Sequence, residues 1–276
     1  MYAFLRFPNF CKKAVTLSYD DGVVFDKRLM EICDENRLKV TFNLNSGSYG
    51  NARKFTKEEA IALYKNSGHE IAVHGVGHYS LAEVPNALAT WDVLTDRRNH
   101  EETYGGIVRG LAYANGSYND QVVELLKACG IVYARTTKAT GAFDIPTDWL
   151  RWNPTCHHED GRLKELMESF LDSTKPRFSV QDRPKLFYLW GHSYEFNDKD
   201  NWEIIEDFAK RIGNREDVWY ATNIEVYEYV KAYDALVYSA DCKRVKNPSA
   251  LDVWISYYGV EVYVPAGKEV NIYPNG

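Results

Sequence analysis

No apolar run in this chain reaches the roughly 18 residues that a membrane-spanning helix needs, so no span is expected. There is no long Lys/Arg block either, and the net charge of −6 argues against nucleic acid as a main partner. The cysteines Cys11, Cys33, Cys129, Cys156 and Cys242 are odd in number and widely spaced. That pattern excludes a disulfide framework or a zinc knuckle and reads as reduced thiols. Met1 to Lys13 carries Arg6, Pro8, Lys12 and Lys13 without an uninterrupted apolar core. A secretory leader is therefore not expected, and the cytoplasm is the expected location. Solenoid repeats, Gly/Ser linkers and low-complexity tracts are lacking too. What is present is globular material, with 45% hydrophobic and 26% charged residues, which argues against disorder. The 276 residues suit one α/β barrel-sized domain, alone or with a small appendage.

Strand-like and helix-like segments alternate. Strands are predicted at 14–18, 40–43, 70–73, 108–113, 131–134, 185–190 and 218–221, and helices at 26–37, 57–66, 86–104, 120–128, 163–172, 202–211 and 224–232. Ala60, Leu63 and Tyr64 keep the helical period, whereas Val40, Phe42 and Leu44 keep the period of two. Gly130 closes the helix that ends at Ala128-Cys129. Seven strand-then-helix units predict an α/β fold, a distorted (β/α) barrel with about seven parallel strands; a doubly wound open sheet is the alternative. Beyond Asp234 the pattern changes. Residues 251–256 and 260–264 alternate around Tyr258-Gly259, and a turn at 265–267 precedes Val270 to Ile272. We therefore divide the chain into a domain at 1–234 and a small C-terminal antiparallel β appendage at 235–276.

The chemistry concentrates at strand ends. Thr16 to Ser18 leads through Tyr19 into Asp20-Asp21-Gly22, and Glu70 to Val73 leads into His74, with His78 four residues on. One carboxylate with two imidazoles forms a three-ligand set suited to a divalent metal with an open position. The second carboxylate is then free as a base toward water. Gly22 permits the turn that brings both carboxylates into one pocket. A helical turn after the strand would put His74 and His78 on one face. Alone, an Asp-Gly turn or two loop histidines would be unremarkable; their combination is not. Asn115-Gly116 and His192 also follow strands, so all these groups fall on the carboxyl rim where parallel β/α folds build their sites.

His192 emerges from the apolar run Leu186 to Trp190 into aromatic surroundings and suits a general acid, the competing reading being a satisfied core histidine. Glu195 reads as a surface charge or as its orienting partner. His157-His158 reads as a loop pair, with substrate contact as the minority reading, and His100 as solvated helix surface. His69-Glu70 does not fit a zinc-protease helix, because His69 and His74 are five apart across a strand.

These residues resemble the ordered motifs of the polysaccharide deacetylase family, the NodB-like carbohydrate esterases of family 4. Thr16 to Gly22 is similar to the first motif, making Asp20 the catalytic base and Asp21 a metal ligand. His74 to His78 is similar to the second, both histidines being ligands, with Gly75 where Ser or Thr is usual. Ala112-Tyr113-Ala114-Asn115-Gly116 is similar to the third but has Ala112 in place of the arginine that steadies the base. The backbone N–H of Asn115 would serve as an oxyanion donor. Asp148 to Trp152 weakly resembles the fourth, in which the Asp orients the acid histidine, and Arg151 is a candidate substitute for the missing arginine. Leu189 to His192 resembles the fifth, with His192 as the acid.

The resemblance covers roughly residues 13–225 and implies a distorted (β/α) barrel of about seven strands. It implies a metal-dependent hydrolase that removes acetyl groups, N-acetyl first, from a carbohydrate by cleaving a non-peptide carbon–nitrogen bond. The ion would be Zn2+, with Co2+, Ni2+ or Mn2+ as alternatives, and the partner an acetylated oligo- or polysaccharide. Tyr113, Trp152, Trp190 and Tyr194 are candidate substrate contacts, the Trp and Tyr194 rings as stacking faces for sugar. Two alternatives stand beside it. One is an amidohydrolase of a small cytosolic amide or ureido compound, some such enzymes being metal-free; the other is a non-catalytic carbohydrate-binding relative.

Overall fold

The computed structural model of the protein describes residues 3–174 and 182–272. After β1 (Ala3–Arg6) the chain lays down β2 (Lys13–Asp20), α1 (Asp26–Glu35), β3 (Val40–Leu44), α2 (Lys57–Tyr64), β4 (Glu70–Val73) and α3 (Asn86–Tyr104). It continues through β5 (Gly110–Ala112), α4 (Asp120–Ala128), β6 (Tyr133–Arg135), β7 (Cys156–His157), α5 (Leu163–Leu171) and β8 (Lys185–Gly191). The unit closes with α6 (Ser193–Asp198), α7 (Glu203–Ile212), β9 (Val218–Tyr220) and α8 (Asn223–Asp234). Five short strands follow: β10 (Val237–Tyr238), β11 (Arg244–Lys246), β12 (Val253–Tyr257), β13 (Val260–Val264) and β14 (Glu269–Asn271).

The parallel sheet runs β6-β5-β4-β3-β2-β8-β7, with β9 paired alongside the start of β2. All seven expected strands are in it, together with the two-residue β7, which the sequence pattern did not mark. The sheet curls into a distorted barrel. Its gap is bridged by irregular chain: Trp152 exchanges backbone hydrogen bonds with Ala134 and Thr136 next to β6 (3.0 Å each), and Thr155 N–H reaches Tyr188 O on β8 (2.9 Å). The main core lies between the sheet and α1, α2, α5 and α7, around Leu17, Phe42, Phe170, Phe187 and Phe208. Amphipathic periodicity buries these side chains, and helix ends are marked by local chemistry. Thr56 and Glu59 form a capping box on α2, Thr222 and Glu225 one on α8, and Gly130 takes φ +73° beyond α4.

The barrel also encloses polar groups. Glu70, at the start of β4, accepts hydrogen bonds from Thr41 Oγ1 (2.8 Å), Tyr133 OH (2.7 Å) and the Ile224 N–H (2.9 Å). Burial nevertheless pushes its carboxyl up to about 7. The helix α3 turns a buried polar stripe, Asp92, Asp96 and His100 at i, i+4 and i+8, toward β3 and β4. His100 is thus not solvated surface: it is fully buried, with Nε2 3.0 Å from Leu44 O and 3.2 Å from Asp96 Oδ2.

Past α8 the pairing becomes antiparallel. Strands β10, β11 and β14 form one small sheet, and β12 and β13 form another together with β1. The first strand of the chain therefore completes the C-terminal β unit, with Leu5 paired to Ile255, a partnership that no local pattern announces. No helix among the described residues is long and apolar enough to cross a membrane.

Candidate metal centre and its acid and base

The carboxyl ends of β2 and β4 lie on one rim. At the end of β2, Asp21 (φ +80°) and Gly22 (φ +61°) turn the chain, so that the carboxylates of Asp20 and Asp21 both reach the same pocket. A side chain at Gly22 would meet Leu44 Cδ2 at 2.8 Å. At the end of β4, His74 Nδ1 lies 2.9 Å from Ala112 O, which fixes the proton on Nδ1 and turns the Nε2 lone pair toward the carboxylates. His74 Nε2 is 3.7 Å from Asp21 Oδ1, and His78 Nε2 is 3.5 Å from the same atom. Four-coordinate zinc with bonds near 2.05 Å separates neighbouring donors by about 3.3 Å. The two histidine–aspartate pairs therefore need to close by only a few tenths of an ångström, and all three donors lie within 4.8 Å of one another, within reach of one divalent cation. Burial, with His74 beside it, lowers the His78 imidazole, which keeps that lone pair free.

The segment from His74 to His78 is not a helical turn. Gly75 (φ +84°) and His78 (φ +53°) are left-handed, and α3 holds the loop instead. Asp96 Oδ2 accepts the N–H groups of His74 (3.0 Å) and Gly75 (2.9 Å), and Asp92 Oδ1 accepts that of Gly77 (2.7 Å). A Cβ at Gly75 would collide with Asp92 Oδ2. The carboxylate of Asp92 thus occupies the space where a Ser or Thr at position 75 would project.

The charge absent from Ala112 is supplied one strand over. Arg135, at the end of β6, is the register partner of Ala112, and its Nη2 pairs with Asp20 Oδ2. Its guanidinium is fully buried and lies 4.2 Å over the Trp190 ring. Burial by itself would raise the Asp20 carboxyl. Arg135, with His74 and His192, outweighs it and holds the group below the usual carboxylate range. Asn43 Nδ2 donates to the other oxygen, Oδ1, at 2.8 Å. Arg151 does not take this part: it pairs with Asp120 (2.6 Å) and Asp148 (2.7 Å) at the surface. Arg135 escaped the sequence reading because nothing local links it to a carboxylate 115 residues away.

His192, the residue just after β8, points Nε2 at Asp20 Oδ2 across 3.9 Å. Burial opposes its charged form, but the hydrogen bond to Glu195 and the carboxylates of Asp20 and Asp21 raise it above the ordinary imidazole value. The expected loop pair lies here as well: His157 Nε2 and His158 Nε2 stand 3.1 and 3.4 Å from Glu195 Oε2.

The remaining candidates spread apart. Asn115 (φ +56°) is exposed on the single turn after β5, where its side chain donates to Ser80 Oγ (3.1 Å). Tyr113 is buried, its hydroxyl bonded to Leu150 O (2.8 Å). Trp152 offers no face to a ligand; at 1% exposure it fills the barrel gap against Tyr133, Trp149 and Tyr188. One face of Trp190 is taken by Arg135. Tyr194 remains half-buried at the rim, its ring 5.0 Å from that of His192. Asp148 caps its own turn through Leu150 N–H (3.2 Å) and pairs with Arg151, and neither oxygen is bonded to His192.

Asp21, His74 and His78 thus form a candidate three-donor metal site on the carboxyl rim of a parallel β/α barrel. Residues 8–134, which include Asp20-Asp21 as well as His74 and His78, match the model of the polysaccharide deacetylase family. It is 29% identical over 89 residues to a chitin deacetylase of Colletotrichum lindemuthianum, a match covering 32% of this chain and 34% of that protein. The chain thus matches about a third of that curated relative's length. In fold it is similar to a structure described as a polysaccharide deacetylase of Mycobacterium smegmatis (TM-score 0.58, 18% identity, 84% of this chain and 95% of that one). It is also similar to a family 4 carbohydrate esterase of Streptomyces lividans in complex with acetate (TM-score 0.51, 13% identity, 76% and 93%).

Proposed function

We propose that the chain is a metal-dependent hydrolase that removes acetyl groups, N-acetyl first, from an acetylated oligo- or polysaccharide. The observation that carries this reading is the opposition of a charged base and a raised acid across the ligand cluster. Asp20 is kept anionic by Arg135, and His192 Nε2 faces it at 3.9 Å. A divalent cation, Zn2+ or Co2+, Ni2+ or Mn2+, held by Asp21, His74 and His78 supplies Lewis acidity toward water and the acetyl carbonyl. Asp20 takes the proton of the attacking water at a carboxylate oxygen, while Arg135 and Asn43 hold that carboxylate in place. The Asn115 N–H supports the carbonyl oxygen as charge develops on it. His192 delivers its Nε2 proton to the departing amine nitrogen, leaving acetate and a free sugar amine. Tyr194 at the rim, with the Arg53 guanidinium 5.7 Å from its ring centre, is the remaining aromatic candidate for contact with a sugar ring.

We assign these steps to a domain at 1–234 and treat 235–276, completed by β1, as a cover for one side of it. With Arg135 paired to Asp20, the arginine lacking at Ala112 gives no reason to prefer a purely carbohydrate-binding role. An amidohydrolase of a small amide that works without metal is separated by experiment. The test is acetate release from a panel of acetylated oligosaccharides, with and without chelator, alongside metal content by mass spectrometry. Chelator-sensitive release with one ion per chain supports the reading. Undiminished turnover after complete metal removal, or no release from any member of the panel, overturns it.

A further inference from the structure

The carboxylate expected to orient the acid histidine, Asp148, is committed elsewhere: one oxygen to Leu150 N–H (3.2 Å) and the other to Arg151 (2.7 Å). Another carboxylate stands where that role requires one. Glu195, third residue of α6, reaches back to His192, the N-cap residue of that helix. Its Oε2 accepts both the backbone N–H of His192 (3.1 Å) and the ring Nδ1 (3.1 Å). Main chain and imidazole are thus held to one oxygen, which leaves Nε2 directed at Asp20.

The cluster around Glu195 invites a different reading, a second cation site, because His157, His158 and Glu195 have donors within reach of one ion. The hydrogen bonding argues against it. His157 Nδ1 accepts the Glu159 N–H (3.2 Å), so the proton of the neutral ring sits on Nε2, the atom that faces Glu195. That atom is a donor to the carboxylate and has no lone pair for a metal. His158 is stacked between Phe196 (4.1 Å) and Tyr19 (5.8 Å), and burial pushes its imidazole down to about 2, so it remains neutral. One negative charge therefore faces three imidazoles, and His192 is the ring whose protonation it supports.

We propose that Glu195, steadied by His157, is the positioning residue of the general acid in place of Asp148: it fixes the Nδ1-protonated form of His192 and keeps Nε2 facing Asp20. The proposal rests on the reading of His192 as the acid. The titratable and charged groups facing His192 are Asp20 and Asp21 from the end of β2, His157 from β7 with His158 just after it, and Tyr194 and Glu195 from α6.

The test follows the imidazole of His192 by NMR in the zinc-loaded protein, its resonance assigned with His192→Gln, in wild type, Glu195→Gln, Glu195→Asp and Asp148→Asn. Glu195→Gln is expected to lower the His192 midpoint by about one pH unit or more, because an opposing charge within hydrogen-bond distance is lost. Glu195→Asp retains the charge and most of the elevation, and Asp148→Asn leaves it unmoved. Where acetate release is measurable, Glu195→Gln lowers kcat by roughly 10–100-fold at unchanged KM and metal content, with the alkaline limb moved to lower pH. An unmoved midpoint in folded Glu195→Gln, or an equal drop in Asp148→Asn, overturns the proposal. If Glu195→Gln does not fold, Glu195→Asp decides: a midpoint that falls to the ordinary imidazole value refutes the charge as its cause. The NMR result is independent of turnover, so a protein that releases no acetate would defeat the functional reading and leave this one to be judged separately.

Discussion

Replacing Arg135 with methionine leaves a side chain of similar length and removes the charge. Asp20 then keeps its burial, at 3% exposure, and loses the cation that outweighs it. Breaking one partner out of a buried ion pair costs about 3–5 kcal/mol. At about 1.4 kcal/mol per pH unit, a loss near 3 kcal/mol raises the Asp20 carboxyl by about 2 units. The acid limb of the kcat/KM profile moves up with it, so the loss grows toward roughly 100-fold on the acid side of the limb and largely vanishes toward pH 8–9. Stability carries the same sign. In the native protein the folded Asp20 lies below its unfolded value, so its contribution is present above the unfolded pKa and is lost as pH falls through the folded one. In Arg135→Met the order is reversed, and the variant is penalised most at high pH. The deficit at pH 8, about 6–12 °C in Tm for a chain of this size, should shrink toward pH 4. Because Ala112 and Arg135 are register partners on strands about 4.8 Å apart, Ala112→Arg in an Arg135→Ala background should return part of the activity. Stopped assays from pH 5 to 9.5 and calorimetry from pH 4 to 8 measure both effects. An unmoved acid limb, or a deficit equally large at all pH, would refute the assignment of Arg135 as the counter-charge of the base.

Asp20→Asn should lower turnover by about 10²–10⁴-fold yet keep its ion, as mass spectrometry would register; a lost ion would make Asp20 a ligand instead. Gly75→Ser must adopt φ +84° and displace Asp92, so it should cost about 1–3 kcal/mol and weaken metal retention against chelator; unchanged retention would contradict the bracing of this loop by α3. Glu70 lies raised at about 7 in the fold, so the native state holds more protons than the unfolded chain between about pH 4.5 and 7, and wild-type stability declines as pH rises through that window. Glu70→Gln lacks this slope, and its Tm should gain on wild type from pH 5 to pH 8; parallel curves would remove burial as the cause.

Much of the architecture is legible along the chain because its elements are long enough to repeat their period. α3 and α4 begin and end where the pattern places them, and all seven expected strands enter the sheet, although β5, β6 and β9 keep only three residues each. The carboxylate pair and the histidines His74 and His78 are legible for a related reason: each stands within a few residues of the strand end that aims it. Glu195 is half legible, three residues from His192 at a capping-box spacing. The six-residue α6 and the two-residue β7 are too short to show any period, so they vanish from the sequence. What only the tertiary structure decided is which distant charges meet. Arg135 reaches Asp20 because β5 and β6 lie side by side, and Asp92 and Asp96 reach the ligand loop because α3 packs on β4. β1 pairs with β12 across almost the whole length of the chain. Local sequence sets backbone conformation within a few residues, whereas a buried carboxylate takes its counter-charge from whichever strand the closed sheet places next to it.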